Sequence, residues 1–348
     1  MTRTLLALDG NSVLHRSFHS GARTGYRTPA GRPGWAVRGL LDQLVAAVDR
    51  SGADAVVVGF DDPDASVRRE RWPNYKAQRA DKPLTLTDQL ADAAELLTNM
   101  GIPVVIPPGL EADDVLAAAA TTAREAGWQA VLATSDRDAF ALIDDTTRVL
   151  RIINGGVEAS PMLTPQRLEI LTGVTPQQYR DLAALRGDPS DNLPGIRGIG
   201  KVLGARLLAE FGSGEAVFAD INAGGERCRS CAGPSVTTAL AAEDAYARWT
   251  ENLEVMTPDP STTVPGDVFD TRLPLPPKPV RRGFASYGLS ARQALRILCG
   301  EYDPAPHSPQ VSGPGHPDGM DGWRPSPPSI RKFAPLPKKA PVLQDTLF

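Results

Sequence analysis

"TLLALDG" (residues 4–10) is a short apolar run that ends in an aspartate and a glycine. A run of four to eight apolar residues bounded by a turn signal is typical of a buried strand. Similar runs recur at 55–60, 103–106 and 130–134. Segments with helical periodicity lie among them at 36–50, 87–100, 112–126 and 137–143. This alternation predicts an α/β fold with a mostly parallel central sheet covered by helices.

The pattern changes near residue 160, after which helical segments follow one another with few strand signals. They are predicted at 164–172, 176–187, 200–211, 235–253 and 290–300, with a loop at 223–235 and an extended proline-rich segment at 257–279. The last 46 residues are rich in proline and glycine, and such composition predicts a disordered tail. We therefore expect an α/β domain over 1–175, a helical domain over 176–302 and a tail over 303–348.

The bulk composition limits the function classes. The 348 residues are 41% hydrophobic and carry a formal net charge of −4, so any site for a polyanion has to be a local patch. Three cysteines cannot supply a disulfide framework, which indicates a reducing compartment. The apolar run near residue 1 is too short for a signal peptide, and no stretch approaches the roughly 18 apolar residues of a membrane span. We expect a cytoplasmic protein with no membrane partner.

Acidic residues follow every predicted strand. They are Asp9 in "LDG", Asp61 in "FDD", Glu111, Asp113 and Asp114 in "GLEADD", and Asp136 and Asp138 in "TSDRD". Any one of them could form an Asx turn or a helix N-cap. Carboxyl ends of parallel strands share one edge, however, and two carboxylates about 4 Å apart repel by about 4 kcal/mol at an effective dielectric of about 20. The pattern therefore predicts a bound cation, and all-oxygen ligands favour Mg²⁺ or Mn²⁺.

A zinc site is not expected. His15 and His19 stand four residues apart, which is typical of one polar helix face, and His307 and His316 lie in the predicted tail. The pair Cys228 and Cys231 lacks a second pair of ligands.

"LRGDPSDNLPGIRGIGKVLGARLL" (185–208) adds Asp188 and Asp191 directly before a glycine- and proline-rich turn that opens a helix. Two metal ions about 3.5–4 Å apart can activate water and stabilise the leaving oxygen of a phosphodiester. The adjacent turn, with its free helix amides, can hold a phosphate. "GIRGIGK" also nearly matches the phosphate loop of nucleotide hydrolases, but Val202 stands where that loop needs serine or threonine.

"VRRERWPNYKAQRADK" (67–82) is a basic stretch in an acidic protein. Six lysines and arginines oppose only Glu70 and Asp81. A charge run is often just a solvated face. Its place after Asp61, with Trp72 and Tyr75 interleaved, fits a channel where cations meet phosphates and aromatic rings stack on bases.

The order of these motifs resembles the 5′-nuclease family, which comprises the 5′–3′ exonuclease domain of bacterial DNA polymerase I and the flap endonucleases. The resemblance spans about residues 3–300 and includes "LALDGNSVLHRSF", "FDDPDASVRRERWPNYKAQR", "GLEADDVLA", "ATSDRD" and "GDPSDNLPGIRGIG". It implies a PIN-like nuclease domain followed by a helix-three-turn-helix DNA-binding domain. It also implies two-metal hydrolysis of DNA with 5′ flaps, nicks or free 5′ ends, in replication or repair. No polymerase domain follows, so a stand-alone enzyme is expected.

The resemblance also assigns roles to residues. One metal site would use Asp9, Asp61, Glu111, Asp113 and Asp136, the other would use Asp138, Asp188 and Asp191, and Asp114 matches the motif as a further candidate. Lys76 and Arg79 of the helical arch would lie nearest the scissile phosphate. DNA contacts would come from Arg68, Arg69, Tyr75, Arg197, Gly198, Gly200 and Lys201. Potassium would be bound by the backbone carbonyls of Leu185, Arg186, Pro194, Ile196 and Ile199.

"QDTLF" (344–348) resembles the peptide by which bacterial replication and repair enzymes dock on the sliding clamp. Gln344 would anchor it, and Leu347 and Phe348 would fill the hydrophobic cleft. Two alternatives to the nuclease stay open: a structure-specific DNA-binding protein without catalysis, and a PIN-type ribonuclease.

Overall fold

A computed structural model describes residues 2–259 and 261–301. Six strands form a central sheet in the order β3-β2-β1-β4-β5-β6. They are β1 (Thr4–Asp9), β2 (Ala55–Gly59), β3 (Val104–Val105), β4 (Gln129–Thr134), β5 (Thr147–Arg151) and β6 (Met162–Leu163). Neighbouring strands pair in parallel except β6, which runs antiparallel to β5. The predicted mostly parallel sheet is thus confirmed.

The central strand β1 is buried along its whole length, as its unbroken apolar run predicts for a parallel sheet covered on both faces. Leu5 pairs with Ala55 on one side and with Ala130 on the other. The sequence prediction missed β5, because "TRVLR" has only two consecutive apolar residues, Val149 and Leu150, flanked by arginines, which is shorter than the apolar runs of the other long strands.

Eight helices lie between residues 10 and 186. They are α1 (Gly10–Gly21), α2 (Trp35–Ser51), α3 (Val67–Arg71), α4 (Leu84–Asn99), α5 (Ala112–Glu125), α6 (Gly156–Ala159), α7 (Pro165–Thr172) and α8 (Pro176–Arg186). Leu6 and Leu8 of β1 face a core shared with α1, α2 and α4, whereas Leu5 and Ala7 face a core shared with α5. The predicted helical segment at 137–143 is a single 3₁₀ turn over Asp138–Leu142.

A short hairpin, β7 (Gly187–Asp188) paired with β8 (Leu193–Pro194), leads into a helical region. Its helices are α9 (Lys201–Phe211), α10 (Gly214–Asn222), α11 (Glu226–Ala232), α12 (Pro234–Leu240), α13 (Ala245–Val255), α14 (Pro277–Ser286) and α15 (Arg292–Cys299). Val280, Phe284, Leu295 and Leu298 of the last two helices pack on the core of α2 and α4.

Three predictions for this region were wrong. The segment 223–235 contains α11, although its three glycines, two serines and one proline favour a loop. The single helix predicted over 235–253 is two helices, α12 and α13, interrupted at residues 241–244. The extended segment at 257–279 ends in α14, whose first turn accommodates Pro277 because the N–H groups of a first turn need no helical partner.

The proposed domain boundary at residue 175 stays a prediction, since the described residues up to 301 belong to one compact unit. The predicted tail lies outside the described residues. In the part of the chain that the structure describes, every helix is too short or too polar to cross a membrane.

Candidate metal centre and nucleic-acid interface

The predicted acidic residues meet at one edge of the sheet. Asp9 is the last residue of β1, and Asp61 follows β2 closely. The N-terminus of α5 lies against them, because the Ala112 backbone N–H donates to the Asp61 carboxylate (3.0 Å). Asp136 follows β4, and its carboxylate accepts from the Asp138 backbone N–H (3.0 Å).

Asp9 is the most firmly held of these carboxylates. It is buried and accepts hydrogen bonds from the Ser12 backbone N–H (2.8 Å) and the Thr134 hydroxyl (2.6 Å). Burial raises the pKa of Asp9 to about 7, and repulsion from Asp61 and Asp136 adds to the increase. The site thus holds a carboxyl group whose negative charge lacks compensation from the protein.

Asp113 and Asp138 extend the same cluster. Burial, together with the charges of Asp136 and Asp9, raises the pKa of Asp113 well above its ordinary value. Burial also raises the pKa of Asp138, with further repulsion from Asp136, Asp188 and Asp191. Among the described residues, the buried Oδ1 atom of Asp113 has no hydrogen-bond partner.

All the predicted ligands except Asp114 therefore lie close enough for their charges to repel one another. The connected set is Asp9, Asp61, Glu111, Asp113, Asp136, Asp138, Asp188 and Asp191. A donor set made only of carboxylate oxygens, with a buried oxygen lacking a partner, fits a hard divalent cation.

Asp114 has a different environment from the other predicted ligands. It is fully buried, and its two oxygens accept from the two terminal nitrogens of Arg68 at 2.7 Å each. The backbone N–H groups of Glu111 (2.9 Å) and Asp259 (2.8 Å) also donate to it. Because both of its oxygens accept hydrogen bonds, Asp114 fixes the N-terminal turn of α5. It offers no free oxygen to a metal.

Arg68 also departs from its predicted role. The sequence suggested a DNA contact, but Arg68 is 8% exposed and its Nε donates to the Val255 carbonyl (3.1 Å). A guanidinium with these buried partners cannot reach a phosphate without breaking them. The neighbouring Arg69 is exposed and lines the cleft, as a DNA contact requires.

Tyr75 and Lys76 both bind Glu111. The Tyr75 hydroxyl donates to one carboxylate oxygen (3.0 Å) and the Lys76 ammonium to the other (2.9 Å). Tyr75 is only 5% exposed, so its ring is not available to stack on a base, contrary to the prediction. Burial opposes the charge of Lys76, but Glu111 and Asp191 outweigh it, so the pKa of Lys76 is raised.

The segment that follows α3 is docked on the turn between β7 and β8. The Lys76 backbone N–H donates to the Asp191 carbonyl (2.9 Å), with Lys76 in the left-handed region (φ 55°). Gln78 donates to the Pro189 carbonyl (2.9 Å), and Arg79 forms an ion pair with the Asp191 carboxylate. Cations of the chain therefore neutralise Glu111 and Asp191. In the described ranges, no three His, Cys, Asp or Glu side chains are already arranged to hold a metal ion.

Glycines allow the hairpin strands to approach each other closely. A Cβ atom on Gly187 would lie 2.3 Å from the Gly195 nitrogen, and one on Gly195 would lie 1.9 Å from the Arg186 carbonyl oxygen. Beyond the hairpin, the Ile199 backbone N–H donates to the Ile196 carbonyl (3.0 Å) and closes a turn in which Gly198 has φ 85°.

The surface of this turn has the features that the sequence predicted. Arg197, Gly198 and Gly200 are exposed, and α9 begins at Lys201. Gly200, the N-cap of α9, has no side chain to cover the first amides of the helix.

The carbonyls predicted to bind potassium are largely engaged within the chain. The Leu185 carbonyl accepts from the Ile196 N–H (2.8 Å), and the Pro194 carbonyl accepts from the Asn252 side chain (3.0 Å). The Ile196 carbonyl closes the turn described above. The potassium assignment, including Arg186 and Ile199, stays a prediction.

A cleft of about 2020 Å³ lies over the acidic edge. Lys76, Arg79 and Arg69 line it together with Asp9 and Asp61. Lys82 of the predicted basic stretch also lines it, and the sequence prediction missed His15, Arg16 and His19 of α1 as lining residues. These residues could have been predicted, because their helical spacing directly after Asp9 places one face of α1 beside the end of β1. Burial and the charge of Lys82 lower the pKa of His15 to about 4, so this side chain is neutral at pH 7.

Two family models match the chain. The 5′–3′ exonuclease N-terminal resolvase-like domain matches residues 4–170, and the 5′–3′ exonuclease C-terminal SAM fold matches residues 174–274. The chain belongs to the 5′–3′ exonuclease family. The resemblance in sequence motifs is thereby confirmed, and so is the succession of a PIN-like fold and a helical fold.

The similar sequences include bacterial DNA polymerases I. The polymerase of Mycobacterium tuberculosis (strain ATCC 25618 / H37Rv) is 38% identical over 220 residues, which are 63% of this chain and 24% of the polymerase. The thermostable polymerase of Thermus aquaticus is 38% identical over 218 residues, which are 63% of this chain and 25% of the polymerase. This exonuclease-family chain thus matches about a quarter of their length.

Solved structures show the same fold. A T5 5′-exonuclease with zinc ions bound aligns with a TM-score of 0.58 and 20% identity, over 85% of this chain and 98% of that one. The catalytic core of Rad2 in complex with DNA substrate aligns with a TM-score of 0.54 and 16% identity, over 86% and 92%.

The raised pKa of Asp9 makes stability depend on pH. Because its folded pKa of about 7 exceeds the ordinary value of 3.8, the folded state binds the extra proton between these values. We expect the contribution of Asp9 to the free energy of unfolding of the metal-free protein to fall by on the order of 3 kcal/mol as pH rises from about 4 to about 7. Denaturant unfolding across this range measures it. Asp9→Asn should flatten the slope, and an unchanged slope would contradict the assignment.

Proposed function

We propose that the protein is a 5′–3′ exonuclease and structure-specific 5′-flap endonuclease that hydrolyses DNA phosphodiesters with two divalent ions. The observation that carries the proposal is the acidic cluster at one sheet edge, with an unpartnered buried oxygen on Asp113, directly beside an exposed glycine turn. The two family models support the same activity. The proposed setting is DNA replication or repair in the cytoplasm, at the nucleoid.

The cluster divides into two groups of ligands. Asp9, Asp61, Glu111, Asp113 and Asp136 would hold one Mg²⁺ or Mn²⁺, and Asp138, Asp188 and Asp191 would hold the other. Bound divalent ions activate water and stabilise the developing charge on phosphate oxygens. Asp114 would not bind a metal, because Arg68 donates to both its oxygens. We assign it the role of positioning the neighbouring ligands Glu111 and Asp113.

Lys76 and Arg79 are the proposed contacts to the scissile phosphate. Both now neutralise carboxylates of the cluster, Lys76 at Glu111 and Arg79 at Asp191. A phosphate that enters the cleft would offer them an alternative anion. Arg69 would contact the single strand from the exposed side of α3, since cations on a groove bind the backbone without regard to sequence.

The turn before α9 is the proposed contact to the duplex. Gly198 and Gly200 leave the backbone uncovered, and Arg197 and Lys201 add positive charge beside the helix N-terminus. The potassium ion implied by the family resemblance would bind at backbone carbonyls of this region, including Arg186 and Ile199. The clamp peptide at 344–348 would keep the enzyme near its substrate.

End-labelled 5′-flap, nicked and blunt DNA duplexes, incubated with Mg²⁺ or Mn²⁺, test the activity. We expect cleavage of the flap near its junction and release of short products from nicks. Matched RNA flaps should be cut at least about 10²-fold more slowly. Faster cleavage of RNA would instead support a PIN-type ribonuclease. Tight binding of the flap without cleavage under either metal would support a non-catalytic DNA-binding protein.

A further inference from the structure

The helix α13 carries one polar residue on its inward face. Ala245, Trp249 and Val255 of this face belong to the core, and Asn252 lies among them with 2% exposure. A buried amide is costly unless its N–H groups have partners. The Nδ2 atom of Asn252 donates to the Ala184 carbonyl (2.9 Å) and to the Pro194 carbonyl (3.0 Å).

These two carbonyls lie on either side of the acidic hairpin. Ala184 is in the last turn of α8, and Pro194 is the last residue of β8. Asp188 and Asp191 lie between them in the chain. One side chain thus ties together both ends of the segment that carries these carboxylates.

The C-terminal end of α13 is tied to the other acidic group. The carbonyls of Val255 and Thr257 accept from Arg68 at 3.1 and 3.2 Å. Arg68 in turn binds Asp114, which accepts from the Glu111 backbone N–H. The end of α13 is therefore connected to the N-terminus of α5, where Glu111 and Asp113 lie.

We propose that α13 acts as a strut that fixes the separation of the two carboxylate groups, with Asn252 as the positioning residue for Asp188 and Asp191. Asn252 and Val255 are three residues apart on a rigid helix, about 4.5 Å along its axis. A pair of ions about 4 Å apart requires its two ligand groups to be held within a fraction of an ångström. The metal-binding part of this inference rests on the proposed function.

The substitution Asn252→Asp tests the strut in the full chain, because it is nearly isosteric and replaces the Nδ2 donor group by one carboxylate oxygen that faces the two carbonyls. We expect the hairpin amides, such as the Ile196 N–H bonded to the Leu185 carbonyl, to exchange hydrogen at least about tenfold faster. In calorimetry with Mn²⁺, the weaker of two binding steps should lose about tenfold or more in affinity while the other stays unchanged. Glu251→Gln, on the exposed face of the same helix, should change neither.

If Asn252→Asp shows the same hydrogen-exchange rates and Mn²⁺ affinities as the wild-type protein, the proposed role of α13 and Asn252 is refuted. Asn252→Ser introduces no buried charge but has a side chain too short to span both carbonyls, so it should shift both measurements in the same direction and decides the question if the first variant does not fold. If the wild-type chain takes up no Mn²⁺, the proposed function fails. Hydrogen exchange of the hairpin in the variants still decides the structural role of Asn252.

Discussion

Asp136→Asn is expected to lower the rate of 5′-flap cleavage by about 10³-fold, measured under single-turnover conditions with Mg²⁺. The charge of Asp136 acts on Asp9, Asp113, Asp138 and Asp191, so it stands at the centre of the cluster. Replacing its carboxylate by an amide removes the charge that would hold a cation there. The Oδ1 atom remains as the acceptor for the Asp138 backbone N–H, so the fold is kept.

DNA binding by this variant should be unchanged or slightly tighter, because the proposed contacts lie in the basic segment and the turn before α9, and one negative charge has been removed. Fluorescence anisotropy with a labelled flap, in Ca²⁺ or without metal, measures it. Asp145→Asn, at an exposed aspartate outside the cleft, serves as control and should cleave normally. Equal cleavage rates for the two variants would refute the catalytic assignment.

Arg68→Met is expected to destabilise the protein by about 3–5 kcal/mol, because it leaves the buried carboxylate of Asp114 without its charge partner. The neighbouring substitution Arg69→Met, on the exposed side of the same short helix, should change stability by less than about 0.5 kcal/mol. Denaturant unfolding of the two variants measures the contrast. Arg69→Met should instead weaken binding of single-stranded flaps.

A double variant sharpens this test. Arg68→Met with Asp114→Leu removes both charges, so its loss of stability should be well below the sum of the single losses. The same loss for Arg68→Met and Arg69→Met, or strictly additive losses at positions 68 and 114, would contradict the buried pair.

The acidic edge could be predicted from sequence because two simple rules combine. Apolar runs such as "TLLAL" mark buried parallel strands, and the carboxyl ends of those strands share an edge. Chain order alone therefore brought Asp9, Asp61 and Asp136 together. The hairpin with Asp188 and Asp191 was predictable as a turn, but its approach to this edge depends on tertiary packing.

The roles of individual residues in the basic segment could not be predicted from the sequence. Arg68 and Arg69 are identical and adjacent, and only the direction in which α3 faces makes one a buried partner of Asp114 and the other a residue of the cleft. Tyr75 was misassigned for the same reason, since an aromatic residue between cations fits both a stacking surface and a core position. Asn252 did leave a signal, as a polar residue at core spacing with Trp249 and Val255, but its carbonyl partners lie about 60 residues away in the chain.

Counting the divalent ions that the full chain binds tests the central claim most directly. Calorimetric titration of the metal-free protein with Mn²⁺ at pH 7.5, without DNA, should show two ions per chain, and one or none with Asp136→Asn. Uptake of no Mn²⁺ by the wild-type protein, or the same uptake by both proteins, would contradict the assignment of the acidic cluster as a two-metal centre.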